Sequence, residues 1–177
     1  PARPVGDRRR RRGIQCAAPM PHGPPRPSDL PPPPPGRTGW PWTVASEPTA
    51  ATDGRELPKL TVVTPSFNQA QFLEATLRSV LFQGYPNLEY IILDGGSTDD
   101  SVGIIRRHEK HLAHWRSRRD QGNYSAIEEG FAMSTAPLMT WLNADDKFHP
   151  GAFDLVSSVF SEQPGVESAS APGGGLA

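Results

Sequence analysis

The spacing of apolar positions changes repeatedly between Leu60 and Phe160, and each change predicts an element. Leu60-Thr-Val-Val-Thr64 is short, β-branched and closed by Pro65, the composition of a buried strand. Phe72, Leu73, Thr76, Leu77, Val80 and Leu81 recur at helical spacing and stop before Gly84 and Pro86, which predicts an amphipathic helix with a clear end. Leu88-Glu-Tyr-Ile-Ile-Leu93 reads as a second strand. The turn Asp94-Gly-Gly-Ser-Thr-Asp-Asp100 then leads into a helix running to about His111, with Ser97 or Thr98 as N-cap and Asp99 and Asp100 favourable in its first turn. Residues 113–117 make a short third strand, 124–133 a third helix, and 138–142 a fourth strand ending at Asn143-Ala-Asp-Asp146. Phe153, Val156 and Phe160 predict one more short helix. Strands alternating with helices specify an α/β fold: a mainly parallel sheet with flanking helices and right-handed crossovers.

Composition divides the chain. Fifteen of the 21 prolines lie in residues 1–60, so the first third cannot build a core of its own. Residues 1–58 carry nine Lys/Arg against five Asp/Glu, a balance of +4, which leaves −5 for the rest of a chain whose net charge is −1. These differences set the expected domains: a disordered Pro/Arg-rich leader over 1–58, an α/β domain over 59–162, and a disordered Gly/Ser/Ala/Pro tail over 163–177. The basic run Arg8 to Arg12 has no stacking aromatics or ordered frame around it and reads as a solvated leader, so no nucleic acid is expected as a partner. Met20, just ahead of the proline-rich part, is a candidate natural start. Pro31 to Pro35 should form a short polyproline II spacer, while Trp40 and Trp42, around Pro41, are expected to dock on the folded domain because tryptophans seldom stay in water. One cysteine, Cys16, excludes an internal disulfide framework, and no apolar run approaches the ~20 residues of a membrane span. The expectation is a soluble, cytoplasmic protein.

Parallel sheets bind ligands at the carboxyl ends of their strands. The polar residues that stand out follow strands: Ser66 and Asn68 the first, Asp94 the second, Asp145 and Asp146 the fourth. Each has a structural reading too, Ser66 and Asn68 as turn and capping residues, Asp94 as an Asx-turn, Asp145 as an N-cap. Together, three loops converge on one edge. The adjacent carboxylates Asp145 and Asp146 favour a hard divalent cation, which would bridge a diphosphate and offset charge on a departing nucleotide.

Val63-Thr-Pro-Ser-Phe-Asn-Gln69, Ser79-Val-Leu-Phe-Gln83 with the run through Asp94-Gly-Gly-Ser-Thr-Asp99, Asp120-Gln-Gly122, and Trp141-Leu-Asn-Ala-Asp-Asp146 resemble, in order and spacing, the motifs of family 2 glycosyltransferases. Leu30 to Thr43, with its proline run and Gly-Trp-Pro-Trp, is similar to the leader of some bacterial members. The resemblance implies a GT-A (Rossmann-like) fold, incomplete at its C-terminal end, that binds a nucleotide diphosphate sugar through Mg²⁺ or Mn²⁺ and transfers the sugar with inversion to a glycan, lipid or protein acceptor. It also implies that Pro65, Ser66 and Asn68 line the nucleotide pocket, that Asp94 contacts the base or ribose, and that Asp120 and Gly122 border the same pocket. Asp146 is implied as the metal ligand, with Asp145 nearer the ribose or sugar. Two departures stand out. Glu128-Glu129-Gly130 puts two acids where many relatives have Asn-Lys, unhelpful near a pyrophosphate unless both point to solvent, and Ala136-Pro137 replaces a Gly and an acidic residue.

His108, His111 and His114 are spaced three apart, but on a helix the first and third are about 240° apart, so they do not read as a zinc site. An aspartate-based phosphatase would need carboxylates right after the first strand, and Thr64-Pro-Ser-Phe-Asn68 has none. No residue is assigned as catalytic base. The chain therefore reads either as the donor-binding half of a transferase or as a truncated, non-catalytic nucleotide-binding or interaction module.

Overall fold

The computed structural model describes residues 23–50 and 56–162. Among the described residues four strands alternate with four α-helices: β1 (Leu60–Ser66), α1 (Ala70–Leu81), β2 (Leu88–Asp94), α2 (Ser101–His108), β3 (His114–Ser117), α3 (Asn123–Met133), β4 (Leu138–Trp141) and α4 (Ala152–Glu162). The strands form one parallel sheet in the order β3-β2-β1-β4. Ser66 pairs with Asp94 and Asp94 with Ser117, so the carboxyl ends of the first three strands finish level with one another.

Alternation along the strands divides the core between two faces. Val62, Tyr90 and Ile92 face one cluster with Leu73, Leu77 and Val80 of α1 and Ile104 and Ile105 of α2. Val63, Ile91 and Leu93 face the other with Ala126 of α3. β1 and β2 are buried at every position, as continuous apolar runs in a parallel sheet should be. β4 is not the buried strand that the apolar run 138–142 suggests. It lies at the sheet's edge with Met139 and Trp141 exposed, and Leu142 has left the strand while its N–H still donates to the Val63 carbonyl at 3.0 Å. At Gly130, α3 approaches β1 so closely that a Cβ there would stand 2.5 Å from a methyl of Val63.

Two expectations need correction. α2 is not capped by Ser97 or Thr98: it begins at Ser101, whose N–H donates to the Asp99 carboxylate at 3.0 Å, while Ser97 and Thr98 bond elsewhere. Nor does a disordered leader describe residues 23–50, which lie against the domain. Leu30 is buried in the core, the Ser46 N–H donates to Phe82 O at 2.8 Å, and the Thr49 N–H donates to Gly84 O at 2.9 Å. Trp40 packs on the core and its Nε1–H donates to Phe148 O at 3.0 Å. Buried Arg78 donates to Pro31 O at 2.5 Å under the ring of Trp42, 5.6 Å away. Proline-rich backbone is excluded from helices and sheet interiors, yet its free carbonyls accept hydrogen bonds and its stiffness lowers the entropy lost on docking. The basic run, Cys16, Met20 and the tail lie outside the described residues. No helix among the described residues is long and apolar enough to cross a membrane.

Candidate functional site

At the carboxyl edge of the sheet lies a cavity of about 770 Å³, walled by the loops that follow all four strands. Pro65, Ser66, Phe67 and Gln69 come from the end of β1 and the start of its loop, Gly95 and Gly96 follow β2, Arg119, Asp120, Gly122 and Asn123 follow β3, and Asn143, Ala144 and Asp145 follow β4. Of the residues singled out in the sequence, Pro65, Ser66, Asp120, Gly122 and Asp145 thus share one wall. The Ser66 hydroxyl is buried with no hydrogen-bond partner among the described residues.

Asn68, Asp94 and Asp146 stand outside that wall. Asn68 is exposed with φ at 53°, a conformation asparagine tolerates; its N–H donates to Ser97 Oγ at 2.8 Å and its Oδ1 accepts from the Thr98 N–H at 2.8 Å. Asp94 is fully buried, and its carboxylate accepts from the N–H groups of Gly96 and Ser97 at 3.1 and 2.9 Å, from Ser117 Oγ at 2.6 Å, and from Ser97 Oγ. Four donors take up its accepting capacity and shape the turn after β2. Asp146 is exposed beside Asp145, and its Oδ2 accepts from Asn143 Nδ2 at 3.3 Å.

Several wall features were not legible in the sequence. Arg119 joins a wall whose other charged residues are Asp120 and Asp145. Asp120 accepts from the Gly122 N–H at 2.9 Å and from Arg116 Nη1 at 3.3 Å. Arg116 also binds Glu129 through Nε at 3.1 Å and Nη2 at 2.6 Å, and Arg118 reaches the same carboxylate at 2.9 Å. The acidic departure on α3 is thereby accounted for: Glu128 is exposed, and Glu129 is neutralised by two arginines of β3 and its loop. Hydrogen bonding from Arg116 holds the Glu129 carboxyl below its ordinary value, and Glu129 and Asp120 together raise the Arg116 guanidinium against the opposing effect of burial. The charge complementarity of Arg116-Ser-Arg118 with Glu129 was the available signal, but only the crossover from β3 into α3 brings them together.

The three histidines part company: His108 is buried on α2 with Nδ1 3.0 Å from Ile104 O, His111 Nε2 lies 3.3 Å from Asp29 O, and His114 opens β3. Among the described residues no third His, Cys, Asp or Glu joins Asp145 and Asp146 in a metal-sized cluster.

A parallel α/β sheet with a polar, charged cavity at its carboxyl edge defines the class of α/β proteins whose ligand site lies at the strand ends. The particular family follows from comparison: the model for Glycosyl transferase family 2 matches residues 61–169, and the chain belongs to that family. A glycosyltransferase of Mycobacterium tuberculosis is 38% identical over 92 residues, covering 51% of this chain and 35% of its own. The mannosyltransferase PcManGT of Pyrobaculum calidifontis, solved with GDP-Man and Mn²⁺, superposes with a TM-score of 0.52 at 26% identity, over 67% of this chain and 34% of its own. S. aureus TarS in complex with UDP-GlcNAc superposes with a TM-score of 0.55 at 17% identity, over 60% of this chain and 32% of its own, a likeness of fold. The fold is therefore GT-A, and the chain spans about a third of the length of each of these proteins.

Proposed function

We propose that this chain is the donor-binding part of an inverting glycosyltransferase that takes a nucleotide diphosphate sugar together with Mg²⁺ or Mn²⁺. The observation that carries this reading is the position of Asp145, next to Asp146, in a cavity wall that also gathers loops from the other three strand ends. The donor set suits a hard divalent cation: the two carboxylates are adjacent and exposed, and neither is ion-paired among the described residues. A cation held by one or two carboxylates completes its shell with water and substrate phosphate oxygens, so two protein ligands suffice. Bound there, the ion would offset the charge of the departing diphosphate. Arg119 would add a second positive charge, and Pro65, Ser66, Asp120 and Gly122 would border the nucleotide. Asp94 and Asn68 act in this reading through the loop they shape.

Inverting transfer also needs a base for the acceptor hydroxyl. Asp154, the one carboxylate after Asp146 whose side chain is described, is engaged by Thr49 Oγ1. A second reading is a nucleotide-binding module without turnover, favoured by the engagement of the Asp154 carboxylate with Thr49. Calorimetry with UDP and GDP, with and without Mn²⁺, tests the donor site: Asp146→Asn should reduce the Mn²⁺-dependent gain in affinity at least ~10-fold, a loss of about 1.4 kcal/mol or more. Unchanged affinity in the presence of metal would place the site elsewhere. Acceptor-dependent nucleotide release, abolished in the same variant, would separate transferase from module.

A further inference from the structure

The motif Ser79-Val-Leu-Phe-Gln83 contributes nothing to the cavity wall, yet Ser79 and Gln83, with Thr76, are completely buried polar residues on the inner side of α1 and the turn that ends it. Their neighbours Leu73, Leu77, Val80 and Leu81 are what an inward helix face should carry, and a buried hydroxyl or amide costs stability unless it is hydrogen-bonded. All three reach the loop that follows β4. Thr76 Oγ1 lies 2.8 Å from Ala144 O and 2.7 Å from Asp146 O, and a longer 3.4 Å from Phe72 O on its own helix, so its nearer acceptors are the loop carbonyls of Ala144 and Asp146. Ser79 Oγ accepts from the Phe148 N–H at 3.2 Å and donates to Thr76 O at 2.7 Å. Gln83 donates to His149 O at 2.8 Å and to Ser79 O at 2.9 Å, and its Oε1 accepts from the Phe153 N–H at 3.4 Å. Moving along the helix from 76 to 83, the partners advance along the loop from 144 to 153.

We infer that Thr76, Ser79 and Gln83 are positioning residues that hold the backbone of the acidic loop so that Asp145 and Asp146 are presented together to a divalent cation at the cavity. The loop has no strand or helix of its own between β4 and α4; the Asp146 N–H donates within it to Asn143 O at 3.1 Å, and peptide groups that such turns leave over need partners from outside. It also carries two adjacent negative charges that repel each other, and a metal site forms with highest affinity when that cost is met in advance by a fixed backbone. Thr76 bears most on this, because it ties the carbonyl of Ala144, in the peptide unit that enters Asp145, and the carbonyl of Asp146, in the peptide unit that leaves Asp146, and so holds the Asp145-Asp146 pair at both ends. The leader braces the outer side, with Trp40 donating to Phe148 O and Ser46 Oγ accepting from the Gly151 N–H at 3.1 Å.

The inference rests on the reading of Asp145 and Asp146 as a cation site, and the test separates the two. GDP and UDP affinities are measured by calorimetry on the full chain, without metal and with Mn²⁺, for the parent, Thr76→Val, Thr76→Ser, Leu77→Ala and Asp145→Asn, each well below its melting midpoint. Thr76→Val should leave metal-free affinity within about twofold and reduce the Mn²⁺-dependent gain roughly 10-fold, the effect typical of residues that orient metal ligands. Thr76→Ser, which keeps the hydroxyl, should restore the gain. Leu77→Ala should lower thermal stability without a selective loss of the metal effect. If Asp145→Asn abolishes the Mn²⁺ gain while Thr76→Val retains it, or if Thr76→Val weakens binding equally with and without metal, the positioning role is overturned and the cation site stands. If the parent shows no Mn²⁺ gain, or Asp145→Asn keeps it, the cation site itself is wrong and the positioning role falls with it.

Discussion

Arg116 on β3 grips Glu129 on α3 through two parallel hydrogen bonds, at 3.1 and 2.6 Å, while a third nitrogen of the same guanidinium reaches Asp120 in the cavity wall at 3.3 Å. A planar guanidinium matches a carboxylate in this way where an ammonium does not. The pair links α3 to the loop after β3, so Glu129 supports Asp120 without touching the cavity that Asp120 lines.

Glu129→Gln should destabilise the domain by about 1–3 kcal/mol, since it removes one partner of a charge-assisted, mostly buried pair. The pH dependence has a definite sign. Because the Glu129 carboxyl is held below its ordinary value, its contribution is fully present above the unfolded carboxylate pKa of about 4.3 and is lost as pH falls through the lower folded value. Urea melts of parent and variant should therefore differ at neutral pH and converge in acid. A difference that persists unchanged at the lowest pH would refute the linkage.

Asp94→Ala should cost about 2–4 kcal/mol, because Gly96 N–H, Ser97 N–H and two hydroxyls would lose a common buried acceptor. Asn68→Ala, at an exposed position, should cost less than about 1 kcal/mol. Chemical denaturation decides the ranking; an Asp94→Ala protein as stable as the parent would mean that its four hydrogen bonds do not shape this turn.

Hydrogen exchange should find the amides of Ser46 and Thr49 protected, since both donate to the turn after α1. Trp40→Ala should remove a partner of Phe148 O together with apolar contact, lowering stability by about 1–3 kcal/mol. Fast exchange at both amides, with no stability change in the variant, would return residues 23–50 to the status of a spacer.

Gly130→Ala should destabilise by about 1–3 kcal/mol even though alanine is the better helix former, because the new methyl meets Val63 across the α3–β1 contact. A compensating Val63→Ala should recover part of the loss in a double-mutant cycle. Simple additivity of the two would show that α3 and β1 can move apart freely.

The elements and their order could be read from the chain because burial marks each of them: short apolar, β-branched runs in β1 and β2, which are buried on both faces, and a period of about 3.6 in α1. The convergence of strand-end residues on one edge followed from parallel connectivity, and of the residues it grouped Ser66 and Asp145 line the cavity while Asn68, Asp94 and Asp146 stand outside its wall. Which polar groups face the cavity was decided only by the tertiary structure. Asp94 sits between two strand neighbours, and its register opposite Ser66 and Ser117 directs its carboxylate into its own turn. Glu129 acquires its arginines, and Thr76 the carbonyls of Ala144 and Asp146, across 13 and about 70 residues of sequence, by packing that no local period encodes. The leader shows the same division. Proline content kept residues 23–50 out of the α-helices and the sheet, leaving one 3-10 turn at Pro27–Asp29, but docking is set by partners elsewhere in the chain, the buried guanidinium of Arg78 and the carbonyl of Phe148, which exist as a surface only once α1 and the loop after β4 have folded together.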